Sequence, residues 1–84
     1  MAQPTLAQLG AAIRDVRSQR SLTIEALADE AELHAVSISR IEAGEQNLTW
    51  TALAGIASAL DVDMLELVRL ATDAPSNGAG RPTR

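Results

Sequence analysis

Apolar side chains recur along this chain in five blocks at helical spacing, separated by short polar stretches. In the first block Leu6, Leu9, Ile13 and Val16 fall three or four residues apart, the signature of one helix face. Thr5 precedes it, and Gln8 stands three residues later, which is a capping box. The pattern predicts a helix from there to about Gln19, broken by Arg20-Ser21-Leu22. Thr23 is the next N-cap, with Glu25 in the first turn, where the helix dipole favours an acid. Ile24, Leu27, Ala28 and Ala31 form the inner stripe of a short second helix. Glu32-Leu33-His34 is a tight connection to a third helix over Ala35 to Ala43, with Ile38 and Ile41 facing inward.

Gly44 sits where a left-handed residue would close that third helix. Thr49 caps a fourth, whose stripe is Leu53, Ile56, Ala57 and Leu60. Asp61 follows at its end, and aspartate tolerates the left-handed region better than most residues. Asp63 and Glu66 form a second capping-box pattern that opens a fifth helix through Met64, Leu65, Val68 and Leu70. From Asp73 the periodicity stops, and residues 73–84 are expected to be a disordered tail on a single domain of residues 1–72.

Composition narrows the fold class to all-α. Much of the 46% apolar content is alanine, which helices carry without loss of side-chain entropy. Trp50 is the one aromatic residue, so the aromatic and β-branched runs of a sandwich or barrel are missing. There are no cysteines, which excludes disulfides and thiolate metal sites and suits a reducing cytoplasm. Residues 1–4 hold neither a basic region nor a long apolar run, so no signal peptide is expected. No apolar stretch is long enough to cross a bilayer.

The spacing of the second and third helices changes the picture from a generic bundle to a helix-turn-helix. That motif needs two helices crossing steeply across a connection of three or four residues. Ala28 supplies the small residue at the crossing, Leu33 plugs the turn, and Ile38 and Ile41 pin the second helix to the core. At this point the sequence resembles the Cro and phage-repressor family, also called XRE-type. The matching residues include Ile13-Arg14, Arg17, Leu22-Thr23, Leu27-Ala28, Leu33, the string SISRIEAG over residues 37–44, Asn47, Leu53, Ile56-Ala57, Ala59-Leu60 and Val62.

The resemblance implies a compact five-helix, lambda-repressor-like fold in which the third helix reads the major groove of double-stranded DNA. By position, Ala35, Val36, Ser37 and Arg40 are then the residues that meet base edges. Thr23, Ile24, Ser39 and the loop residues Gln46 and Asn47 fall where the family approaches phosphates. Arg17 and Glu42 fall where it makes an internal ion pair, and since burying either charge alone is costly, pairing is also the physical expectation.

The chain departs from the family pattern in four places. Glu32 stands where glycine is common in the turn, and Ile24 where a glutamine is frequent. Glu45-Gln46-Asn47 replaces a loop often rich in lysine or arginine, and Trp50 stands where leucine is usual. Trp50 is expected to be half-buried under the fourth helix.

The side-chain chemistry leaves alternatives open at several of these positions. An outward Arg40 can grip guanine O6 and N7, or can pair with a nearby acid. Ala35 and Val36 can meet thymine methyl groups, or Val36 can pack against a neighbouring helix. Ser37 discriminates bases poorly and could equally be a plain surface residue. His34, at the N-cap of the third helix, could touch a phosphate or could be no more than a mediocre cap. Arg14 and Arg20 could hold phosphates or only offset the acidic surface. Leu65, Leu67, Val68 and Leu70 exceed what one small core needs, and Leu65, Val68 and Leu70 form a candidate dimer face; the alternative is a core that closes over the first helix.

Charge divides the functional readings. The net charge is −4, every basic residue is arginine, and residues 1–72 carry −5 because the tail holds Asp73, Arg81 and Arg84. Nucleic-acid binders usually carry a basic footprint, so the arginines must cluster on one face for DNA binding to work. One reading is a cytoplasmic, sequence-specific transcriptional regulator, a repressor acting as a homodimer on a palindromic operator. The other is a protein-interaction module, or an antitoxin-type regulator with weak DNA affinity and a protein partner. An enzyme is not expected: the sequence holds no nucleophile with its base, no metal-binding cluster and no phosphate-cradling glycine loop, and no cofactor is implied.

Overall fold

The computed structural model describes residues 4–73 as five helices with no strand among them. They are α1 (Leu6–Gln19), α2 (Ile24–Ala31), α3 (Ala35–Glu42), α4 (Trp50–Ala59) and α5 (Met64–Asp73). The starts are local chemistry. The hydroxyls of Thr5, Thr23 and Thr49 each accept the amide of the residue three positions on, at 3.0 Å. At α1 the Gln8 side chain returns the bond to the Thr5 amide at 2.9 Å, closing the box.

The fifth start differs from the sequence expectation. Asp63 accepts from the Leu65 amide at 2.8 Å, but the Glu66 carboxylate is taken by Arg69 at 2.9 Å and does not turn back to close a box. Helix α5 also runs further than the periodicity implied, so Asp73 is its last residue, 3.4 Å from the Arg69 guanidinium. The expected tail over residues 74–84 lies outside the described residues.

The first four helices all end in the same way. A residue at positive φ follows the last turn, and two amides reach back to the final carbonyls. The positive-φ residues are Ser21, Glu32, Gly44 and Asp61. The reaching pairs are Ser21 and Leu22, Glu32 and Leu33, Gly44 and Glu45, and Asp61 and Val62. Three of the four are not glycine, each at a cost of about 1 kcal/mol. Glu32, standing where glycine is common in the family, does take a positive φ, and Ser21 is another such position, one that the sequence did not mark. Gly44 has no such latitude: a Cβ on it would lie 2.8 Å from the Ala7 Cα, because the start of α1 packs over it.

Each helix contributes at least one fully buried anchor: Ile13, Leu27, Ile38, Ile56 and Leu67, with Leu60 at the close of α4. Helix α1 packs on α3 and α5, α2 on α3 and α4, and α4 on α5. The α1–α3 approach is set by Gly10, where a Cβ would collide with the Ile41 carbonyl oxygen and stand 2.7 Å from that of Glu42. Leu22, Leu33 and Val62, at the ends just described, pack onto the core from its edges.

Trp50 corrects the sequence expectation. It is 72% exposed rather than half-buried. As the first residue of α4, its Cα–Cβ bond leans back past the helix end, away from the bundle. Leu48, two residues earlier, packs against the core instead. No helix among the described residues is long and apolar enough to cross a membrane.

Candidate nucleic-acid interface

Helix α3 is held from behind and open in front. Ile38 and Ile41 are buried, which fixes the opposite face outward. Val36 and Arg40 lie four residues apart, about 40° around the axis, on that outward face. Val36 is 58% exposed, so it does not pack against a neighbouring helix. Ser39 and Ala43 are exposed beside them, extending the face toward the end of the helix. Ala35 and Ser37 occupy the flanks. Both are half-buried, and Ala35 packs against the core. The four residues expected at base edges thus divide into two that stand on the outward face and two at its margins.

Electrostatics sharpen the same face. Glu42 is the one acid in α3, and it is withdrawn from that face. Its carboxylate accepts from Arg17 Nε at 2.6 Å and Nη2 at 3.0 Å, while Nη1 of the same arginine donates to the Leu22 carbonyl at 2.8 Å. The two side chains are only 14% and 6% exposed. Donating these bonds to Glu42 raises the pKa of the Arg17 guanidinium above its ordinary range, against an opposing effect of burial. The pair therefore fastens α1, the entry to α2 and the end of α3 into one unit. Arg40, by contrast, has no acid within ion-pair distance among the described residues, and neither has Arg14. Both are exposed.

The expected backbone-contact residues are placed as follows. Arg14, Arg17, Ile24, Ser39, Glu42 and Ala43 line one open groove of about 260 Å³ between α1, the start of α2 and α3. The structure thus brings Ile24 and Ser39 together with Arg14, a grouping that no local pattern in the sequence indicated. Thr23 is exposed, with its hydroxyl oxygen engaged by the Ala26 amide. Ile24 is half-buried and packs on the core. His34 is exposed at the N-cap of α3 and makes no side-chain capping bond. Gln46 is half-buried and Asn47 exposed in the loop between α3 and α4. Among the described residues, no group of three or more His, Asp or Glu side chains is placed to hold a metal.

Residues 8–71 match the family described as a helix-turn-helix domain. The chain belongs to that family. It is of the XRE type that the SISRIEAG string indicates. Solved structures agree. The restriction-modification controller protein C.AhdI from Aeromonas hydrophila superposes with a TM-score of 0.73 at 29% identity, over 74% of this chain and 94% of that one. The clp gene regulator ClgR from Corynebacterium glutamicum gives 0.78 at 27% identity, over 83% and 76%. The wild-type restriction-modification controller protein C.Esp1396I gives 0.73 at 29% identity, over 79% and 86%. A comparison with curated protein sequences found no match. As a helix-turn-helix domain, the chain is a DNA-binding transcriptional regulator and not an enzyme. Helices α2 and α3 are its two motif helices, with Glu32-Leu33-His34 as the turn.

Proposed function

We propose that this regulator reads a specific DNA sequence by laying the outward face of α3 in the major groove, as a homodimeric repressor on a palindromic operator. One observation carries the reading: among the described residues Arg40 has no ion-pair partner on that face, while the one acid of the helix is locked to Arg17. An arginine held by no carboxylate is available for the forked contact to guanine O6 and N7. Val36 lies beside it on the same face, and Ser37 and Ala35 border the contact. Arg14 and Ser39 approach a phosphate along the shared groove, with Thr23 and the start of α2 next to them. His34, Gln46 and Asn47 flank the helix as further backbone contacts. The regulator is placed in the cytoplasm.

Dimerisation is supported by α5, with one revision. Leu65 is 76% exposed and Leu70 37%, but they lie about 140° apart around the helix, and Val68 is half-buried against the core. The face is therefore centred on Leu65, with Val68 at its edge. A two-fold dimer would present two copies of α3 about 34 Å apart, one turn of B-DNA.

A second reading has its own support. Trp50 and Leu65 are both large, apolar and more than two-thirds exposed on a chain of net charge −4. That combination favours a protein-interaction module, or an antitoxin-type regulator with weak DNA affinity and a protein partner.

Selection from random duplex DNA at low salt by the full-length chain tests the proposal. Enrichment of a palindrome with two half-sites about ten base pairs apart is the expected result. Failure to enrich any sequence would overturn it in favour of the protein-partner reading.

A further inference from the structure

We infer that Val36 and Arg40 together read two bases, a guanine and a 5-methylpyrimidine within two base pairs of it, and that the C5 methyl group itself is a determinant of binding. The inference rests on the DNA-reading role proposed above and names the chemistry that the α3 face selects.

Val36 is the one large apolar side chain exposed on α3, at 58%. Leaving it in water has no benefit for the fold, whose core is already closed behind it by Ile38 and Ile41. Valine is branched at Cβ, and in a helix it keeps essentially one χ1 rotamer. It therefore presents a fixed pair of methyl groups rather than a mobile chain, a surface suited to a small apolar partner. In the major groove the small apolar feature is the C5 methyl of thymine. Ala35, the other apolar candidate, is half-buried against the core and presents less surface.

Arg40 fixes the neighbour. Residues four apart on a helix have Cβ atoms about 5–6 Å apart, and base pairs along B-DNA rise about 3.4 Å. An arginine bidentate to one guanine thus leaves Val36 over the adjacent base pair or the one beyond it. Among the described residues, no acid is paired to Arg40 to draw it off this position. The C5 methyl of 5-methylcytosine occupies the same place in the groove as that of thymine. Val36 makes no hydrogen bond that would distinguish the O4 of one from the N4 amine of the other. The face would thus accept 5-methylcytosine where it rejects cytosine.

The test uses the duplex that the wild-type full-length chain selects. Each thymine is replaced singly by deoxyuridine, which removes the methyl group and nothing else. The expected result is one position per half-site, within two base pairs of a guanine, where affinity falls about fourfold for each methyl lost. At that position a 5-methylcytosine·guanine pair binds more tightly than a cytosine·guanine pair. Val36→Ala removes both methyl effects, keeps the guanine preference and leaves the thermal melt unchanged. Binding that ignores the methyl at every thymine, or a methyl effect that persists in Val36→Ala, would overturn the inference while leaving the DNA-reading role intact. If the wild-type chain selects no duplex, that role fails and the inference falls with it.

Discussion

The Glu42 carboxylate holds the Arg17 guanidinium through two hydrogen bonds, at 2.6 and 3.0 Å, across a sequence separation of 25 residues. Removing the acid leaves a nearly enclosed arginine with one remaining bond, to the Leu22 carbonyl. Glu42→Ala is expected to cost about 3 kcal/mol, a large part of the stability of so small a domain. A urea titration followed by circular dichroism measures it, and an unchanged midpoint would show that the pair is dispensable. The raised Arg17 pKa adds no pH dependence near neutrality. A cation whose folded pKa is raised contributes its stability at every pH below the ordinary arginine range and loses it only above.

Two left-handed positions should answer oppositely to substitution. Glu32, at φ 60°, is exposed, so Glu32→Gly relieves about 1 kcal/mol of strain, offset in part by the greater freedom of glycine in the unfolded chain. The expected net is a gain of about 0.5 kcal/mol. Gly44→Ala meets the Ala7 backbone as well as the positive φ, and a loss of about 2 kcal/mol is expected. Equal effects of the two changes in chemical denaturation would contradict the described packing of α1 over Gly44.

Much of this fold is legible along the chain because its signals are local. Thr5, Thr23 and Thr49 announce helix starts by their hydroxyls, and Gly44 and Asp61 mark two of the four helix ends by residue type. Ser21 carries no such mark, since serine is ordinary in a turn and its φ is set by the two amides that reach back to α1. The outward pair Val36 and Arg40 follows from helical spacing once Ile38 and Ile41 are placed inside. The groove that joins Arg14, Ile24 and Ser39 does not, because it depends on how closely α1 approaches α3 at Gly10. Trp50 differs for another reason. It stands where the family usually has leucine, which suggests burial, but as the first residue of α4 it is left exposed.

Trp50 is consequently a built-in probe. In the free chain its fluorescence should be that of a water-exposed indole, readily quenched by acrylamide. Trp50→Ala should change stability by no more than about 0.5 kcal/mol. A blue-shifted, protected emission at low concentration would contradict its exposure. Protection that appears only with rising concentration, or on adding a partner, would place an interface there.

The loop after α3 offers a charge test. Glu45 is exposed and carries the wrong sign for a phosphate neighbour. Glu45→Lys should tighten binding at all sequences and steepen the dependence of log affinity on log salt by about 0.9 for the added contact. No change in slope would mean that the loop does not face the DNA backbone.

The claim that α3 reads base edges through Arg40 is tested most directly by measuring how the wild-type chain and Arg40→Ala bind the selected operator and a set with each base pair exchanged in turn. The account predicts that the wild type loses about 1–3 kcal/mol at one guanine per half-site, and that Arg40→Ala binds more weakly yet no longer distinguishes that base, with its melt unchanged. Undiminished preference at every position in Arg40→Ala would contradict it.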